Sequence, residues 1–292
     1  MPGVENSLGP CRKPKSTTSL WPPNIFNMYY EKAKILWNKQ AGNEYYRIGL
    51  TCHRGYSGAT PGQFIMLHFP GRMTPFLPRP FSIHRIIKTG NRTSGIELLY
   101  KVVGEGTKML SEHGKGDVVN ILGPLGNGFI FSNHYKRIFI VAGGIGVAPM
   151  LFLASYLKTK GADPSECMVF LGGRSKDDLL CSDDFLHMGM KIHITTDDGS
   201  VGNRCFVTHP LEIALEKNLP DIIYACGPLE MLKCVAGISE KHTVPCQISI
   251  ETIMACGMGA CLGCAVERKE TSVSYMHVCL DGPVFDVRCI KL

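Results

Sequence analysis

Cys256, Cys261, Cys264 and Cys279 form a C-x4-C-x2-C-x14-C array near the C-terminus of this 292-residue chain. Thiolates are soft anionic ligands, and four of them at this spacing suit a [2Fe-2S] centre. Three thiolates within nine residues force the chain to curl around the metal. Gly257, Gly259, Ala260 and Gly263 permit such tight turns and let backbone N–H groups approach the sulfurs. A structural zinc site uses the same four ligands, though zinc more often takes two short C-x2–4-C knuckles far apart. Iron–sulfur chemistry is favoured on spacing and zinc stays open. Cys246 and Cys289, in the same segment, are read as ordinary core or surface thiols.

Other groups point to an organic cofactor and a nucleotide. Arg79-Pro80-Phe81-Ser82 combines an arginine fork for a pyrophosphate, an aromatic beside a planar ring and a hydroxyl for a ring nitrogen. Alone it reads equally as a strand start with a surface arginine. Leu99-Tyr100-Lys101 followed by Gly104-Glu105-Gly106-Thr107 is a strand feeding a glycine turn and a helix start, where backbone N–H groups hold phosphate. Ile138 to Met150 reads as a buried strand, a turn at Gly143, Gly144 and Gly146, and a helix start; Pro149 stands where G-x-G-x-x-G would place its third glycine. Gly172-Gly173-Arg174-Ser175 and Ala225-Cys226-Gly227-Pro228 are further strand ends, the place where open α/β sheets bind ligands. Arg174 suits a ribose phosphate or a solvated turn; Cys226 suits a place near a nicotinamide or a buried strand-end thiol.

The elements needed to position these groups fall into three textures. Short alternating runs from Tyr29 to Leu122, broken by turn residues, predict an antiparallel β-barrel. From Arg137, apolar strands alternate with helical stretches, including one over Lys176 to Leu186, and predict a parallel sheet covered by helices. Beyond Pro245, six cysteines and four glycines crowd a segment too small to bury much core without a metal staple. The expected division is a flexible leader over 1–27, a barrel over 28–133, an α/β domain over 134–245 and a cluster domain over 246–292.

Bulk composition sets limits. Hydrophobic residues are 45% and charged residues 19% of the chain, the balance of a folded globular protein. The net charge of +6 comes from interspersed residues with no basic stripe, so nucleic acid is not expected as a partner. Ile138 to Leu157 is uncharged and nearly long enough for a membrane span, but its glycines and Pro149 favour strand, turn and helix. Thirteen unevenly spread cysteines argue against a secreted disulfide framework, and residues 1–27 lack the apolar core of a secretory signal; a cytoplasmic location is expected.

The order of these motifs resembles the electron-transfer subunits of NAD-linked dihydroorotate dehydrogenases, within the ferredoxin-NADP reductase superfamily. The resemblance spans roughly residues 28–292 and is strongest over Glu251 to Cys264 and Val278 to Phe285. It implies FAD in the barrel, NAD(H) on the α/β domain, and a [2Fe-2S] cluster, of plant-type ferredoxin spacing, facing a separate FMN-containing catalytic subunit in a heterotetramer. It carries Arg79, Pro80, Phe81, Ser82, Leu99, Tyr100, Lys101, Gly106 and Thr107 over as FAD contacts. Gly143, Gly144, Gly146, Cys226, Gly227 and Pro228 fall to the nicotinamide nucleotide, and the four cysteines to the cluster. No side-chain acid, base or nucleophile is required, since the cofactors carry the chemistry. The leader, and Cys205 where glycine is expected after Asp198-Gly199-Ser200-Val201-Gly202, depart from the pattern. The same module serving a hydrogenase, a sulfur-reducing enzyme or a glutamate-synthase-like complex is one alternative, and a zinc-stapled, non-enzymatic interaction protein is another.

Overall fold

The computed structural model describes residues 28–71, 77–269 and 274–292; the expected leader lies outside them. In β1 (Tyr29–Gly42) Ala33 and Ile35 are buried while Lys32 and Lys34 are exposed, the period-2 alternation of a half-covered strand. β2 (Tyr45–Thr51), β3 (Phe64–His68), β4 (Arg79–Thr89), β5 (Arg92–Lys101) and β6 (Val118–Leu125) follow. The six close into an antiparallel barrel in the order β1-β2-β5-β4-β3-β6, with β6 pairing back to β1. Closure leaves no free edge. Ile48, Ile65, Ile83, Ile96, Leu98 and Ile121 fill the interior, each fully buried aliphatic chain contributing about 1.5–3 kcal/mol. Between β5 and β6, α1 (Glu105–Glu112) starts on Gly104. The Thr107 hydroxyl accepts from the Val103 and Gly104 N–H groups and donates to the Gly104 carbonyl, which fixes that turn.

The second unit runs β7 (Ile138–Gly143), α2 (Val147–Thr159), β8 (Cys167–Gly173), α3 (Ser182–His187), β9 (Lys191–Thr196), α4 (Thr208–Lys217), β10 (Ile222–Cys226), α5 (Leu229–Lys241) and β11 (Cys246–Ser249). Every residue of β7 is buried, as a central parallel strand with both faces covered requires. Phe139 and Val141 meet Leu211, Leu215, Leu232 and Val235 of α4 and α5. Ile138, Ile140 and Ala142 meet Met150, Leu151 and Leu153 of α2 on the other face. The long apolar stretch is therefore a strand, a glycine turn and a buried helix. The helix expected over Lys176 to Leu186 is instead a 3-10 turn at Lys176–Asp178 and the separate α3: Leu180 tucks under the sheet and Cys181, at φ 65°, turns the chain between them.

The C-terminal segment adds β12 (Ala265–Glu267), β13 (Tyr275–His277) and β14 (Val284–Asp286). β12 and β13 form a small hairpin sheet, whereas β14 pairs antiparallel with β11 and completes a six-stranded sheet in the order β14-β11-β10-β7-β8-β9. The place where the expected cluster domain begins, at Cys246, is thus a parallel strand of this sheet. Cys246 is buried with a thiol pKa pushed up by burial. Cys289, expected to be an ordinary thiol, is disulfide-bonded. No helix among the described residues is long and apolar enough to cross a membrane.

Candidate functional site

The chain leaves β7 toward β8 and β9 on one side and returns as β10 and β11 on the other, so the sheet has a switch point between β7 and β10. A cleft of about 690 Å³ opens at the carboxyl edge there, lined by Gly143, Gly144, Gly146, Gly227 and Pro228. Close approach explains the glycines: a Cβ on Gly146 would stand 2.3 Å from the Cys226 carbonyl oxygen, and one on Gly143 2.7 Å from the Met231 sulfur. Gly144 adopts φ 51° in the turn leading to the start of α2, whose backbone N–H groups suit phosphate. Cys226 itself is 3% exposed, does not line the cleft, and bonds to the Ser249 side chain beside it; burial pushes its thiol pKa up.

Arg174, from the Gly172–Ser175 motif, lines its β8–β9 side. The cleft also takes in residues that the motifs did not reveal: Thr195, Asp197 and Phe206 on that same side, Glu251 on its β11 side, and Tyr45 and Asp178 toward the barrel. Thr195 is 1% exposed and its hydroxyl has no hydrogen-bond partner among the described residues. An unpaired buried hydroxyl is costly, so a ligand donor or acceptor would relieve it.

The barrel motifs are brought to one neighbourhood but do different work. Arg79, Pro80, Phe81 and Ser82 open β4 half-buried, and among the described residues Arg79 pairs with no carboxylate, only with the Leu77 carbonyl at 3.4 Å. A guanidinium without a carboxylate partner fits a pyrophosphate. Leu99 packs with Tyr45 and Leu180 under the nucleotide sheet. Tyr100 places its ring in the barrel core, stacked on Tyr46 and edge-on to Phe81, with its hydroxyl 3.2 Å from Asn38 Oδ1. The Lys101 ammonium goes to Asp178 at 3.2 Å and lies over the Tyr45 ring. Gly106 and Thr107 are buried in the first turn of α1, with the Thr107 hydroxyl committed to that turn, which leaves their backbone groups for a ligand.

The four thiols fall into two pairs, Cys264 with Cys279 and Cys256 with Cys261. Cys264 and Cys279 sulfurs are 3.3 Å apart; this contact lowers the Cys264 pKa to about 6 and raises that of Cys279. The Cys256 sulfur accepts from the Met258 and Cys261 N–H groups, both at 3.4 Å. The Gly263 N–H lowers the Cys261 pKa. Gly257 at φ 71°, Gly259 at 85° and Leu262 at 57° make the curl. Thiol pairs with backbone N–H groups aimed at sulfur would suit an iron–sulfur cluster held by Cys256, Cys261, Cys264 and Cys279. The loop sits against the barrel: a Cβ on Gly257 would be 2.4 Å from Met66 Cγ, and Met66 pairs across the ladder with Pro80. Asn127 clamps the far side, its N–H and side-chain amide both 2.6 Å from the Gly282 and Leu280 carbonyls.

An antiparallel barrel beside a nucleotide-binding parallel sheet is the fold of the ferredoxin reductases. The chain is similar to a solved NADH-dependent reduced ferredoxin-NADP oxidoreductase, with 27% identity, a TM-score of 0.77 and coverage of 89% of both chains. It shares the fold alone with a ferredoxin NADP+ reductase from Neisseria gonorrhoeae, with 17% identity, a TM-score of 0.61, and coverage of 73% of this chain and 91% of that one. The oxidoreductase NAD-binding domain model matches residues 140–237, and that of the iron-sulfur cluster binding domain of dihydroorotate dehydrogenase B matches residues 251–291. The dihydroorotate dehydrogenase B (NAD(+)) electron transfer subunit of Caldanaerobacter subterraneus subsp. tengcongensis is 40% identical over 255 residues, 87% of this chain and 95% of that protein. The Listeria monocytogenes protein of the same name is 36% identical over 271 residues, 91% of this chain and all of that one. The chain belongs to the family of dihydroorotate dehydrogenase B electron transfer subunits. It is a flavin and iron–sulfur oxidoreductase subunit using FAD, a [2Fe-2S] cluster and NAD(H), and the zinc-stapled reading falls away.

Proposed function

We propose that this chain takes electrons from NADH at the switch-point cleft, carries them through FAD on the barrel to a cluster on Cys256, Cys261, Cys264 and Cys279, and delivers them to the FMN-containing catalytic subunit of a dihydroorotate dehydrogenase. The observation that carries the reading is contiguity. Glu251 lines the cleft, Cys256 follows five residues on, and the thiolate loop touches Met66 beside the Arg79–Ser82 motif. FAD held on the barrel would supply two-electron hydride acceptance with one-electron release, and a cluster on the four cysteines would supply one-electron transfer.

The side chains hold and exclude rather than react. Arg79 would meet the flavin pyrophosphate, with Phe81 against the ring system and Ser82 at a ring nitrogen. Gly143, Gly144, Gly146, Gly227 and Pro228 let the nucleotide backbone approach the sheet edge. Met66, Leu125 and Leu280 pack around Gly257 and Gly259 and exclude water between barrel and cluster. The family and the composition support a soluble, cytoplasmic protein in a heterotetramer with its catalytic subunit, acting in pyrimidine biosynthesis with NADH rather than NADPH.

The test is copurification followed by two assays. The complex should oxidise NADH with an artificial dye and, separately, reduce orotate in an NADH-dependent manner. Dye activity without orotate-linked activity would keep the carrier and discard the pyrimidine partner, pointing instead to a hydrogenase, sulfur-reducing or glutamate-synthase-like complex.

A further inference from the structure

The cleft is not built by the α/β domain alone, because Tyr45 of β2 and Lys101 of β5 also line it. Asp178 joins the two sides. Its Oδ1 accepts from the Tyr45 hydroxyl and, at 3.2 Å, from the Lys101 ammonium. Its Oδ2 accepts from the Arg174 backbone N–H at 3.1 Å and from Arg174 Nε at 3.2 Å. The side chains of Asp178 and Lys101 are only 10% and 16% exposed, whereas that of Arg174 is 77% exposed. A buried carboxylate thus stands between a buried barrel cation and a guanidinium that lines the open cleft.

Hydrogen bonds to an ionised group are about twice as strong as neutral ones, and a guanidinium fixed at Nε loses less freedom when it meets a second anion. Burial by itself would raise the Asp178 pKa, but the bonds from Tyr45, Lys101 and Arg174 outweigh it and hold it at about 2, so the clamp is charged at neutral pH. Among the described residues, the bond from Nε to Asp178 is the guanidinium's only hydrogen bond, which leaves its terminal nitrogens for an anion. Orientation follows from the other end of the cleft. Glu251 lies on the side leading to the cysteines, where electrons must leave, so the nicotinamide faces that side and the adenosine half reaches Arg174, the residue after β8.

We propose that Asp178 is a positioning residue: by dividing its two oxygens between the barrel and Arg174, it presets the guanidinium for the phosphate-bearing adenosine half of the dinucleotide. Affinity for that half then depends on barrel residues through Asp178. The inference rests on the reading of this cleft as the nicotinamide-nucleotide site.

ADP-ribose, which lacks the nicotinamide, is the probe. It is titrated calorimetrically into the full-length protein loaded with FAD and cluster, as wild type, Tyr45→Phe, Arg174→Ala and the double variant. Arg174→Ala weakens binding about tenfold or more. Tyr45→Phe keeps the ring, removes only the hydroxyl on Oδ1, and weakens binding about three- to tenfold. In the Arg174→Ala background, Tyr45→Phe has no further effect. An equal loss in both backgrounds means that Tyr45 meets the nucleotide directly, and no loss in either means that the clamp does not reach Arg174; each overturns the proposal. Wild-type protein that ignores both ADP-ribose and NADH overturns the reading of the cleft, and the proposal with it. As a second measurement, Asp178→Asn raises the KM for NADH about tenfold with kcat within about twofold, a split that a general loosening of the fold would not give. Thermal melting checks that each variant folds, and if Asp178→Asn does not, the Tyr45 and Arg174 cycle decides alone.

Discussion

The cleft and the thiolate loop lie close together but are held by different forces. The cleft rests on six hydrogen-bonded strands with helices on both faces, and Gly146 and Gly227 sit hard against neighbouring backbone. From Glu251 to Cys264 there is neither helix nor strand; Ile253 is 86% exposed and Leu262 58%. That loop leans on the barrel through a few contacts such as Gly257 on Met66. A preformed site depends on the fold, while a thiolate loop depends on its metal for much of its order.

The largest separation of the two regions should come from Cys279→Ser. Loss of one ligand from the pair at 3.3 Å should abolish the cluster's visible and paramagnetic signals and cut electron delivery to the partner by about 100-fold or more. NADH-to-dye activity through the flavin should stay within about twofold. A variant that loses both activities together would mean that the cleft also depends on the cluster.

Acid should act on the cleft side first. His84 joins β4 to α2: it is buried, its Nδ1 lies 2.8 Å from the Ala148 carbonyl, and burial lowers its pKa to about 4. The unfolded chain protonates near pH 6.5, so the unfolded state gains protons first and stability is lost as pH falls from 6.5 to 4, by up to roughly 3 kcal/mol. Chemical denaturation followed across that window checks the slope, and His84→Gln should flatten it.

Gly257→Ala probes the weaker region more gently. It introduces a Cβ at φ 71° and 2.4 Å from Met66 Cγ, which should cost about 1–3 kcal/mol locally. Cluster reduction after rapid mixing with NADH should slow several-fold while flavin reduction is unchanged. Equal slowing of both steps would place the strain in the barrel rather than in the gap to the cluster.

Thr195→Val should have the smallest effect on folding. The hydroxyl has no partner among the described residues, so the melting temperature should hold or rise slightly, while ADP-ribose binding weakens about fivefold. A stability loss of more than about 1 kcal/mol would show that the hydroxyl is already satisfied.

Much of this organisation was legible in the residues because it is periodic or closely spaced. The alternation in β1, the unbroken apolar run of β7 and the C-x4-C-x2-C array each carry their meaning locally. The clamp was not legible, since Tyr45 and Asp178 meet across 133 residues of sequence and neither belongs to a motif. The resemblance makes Lys101 a flavin contact, and only the fold brings Asp178 within 3.2 Å of its ammonium. Val284–Asp286 is too short to signal a strand, and its pairing with β11 follows from where Pro283 and Gly282 meet the barrel at Asn127.

That pairing bears on how such proteins can be recombined. The last strand of the cysteine segment is the outer rail of the nucleotide sheet, so the segment is no detachable cartridge. Cutting the chain after Ser249 would uncover the N–H and C=O row of β11, an adhesive edge that invites pairing with a second chain. A transplanted cluster module would therefore have to bring β14 with it, and a reductase stripped of its cluster would need another cap on that edge.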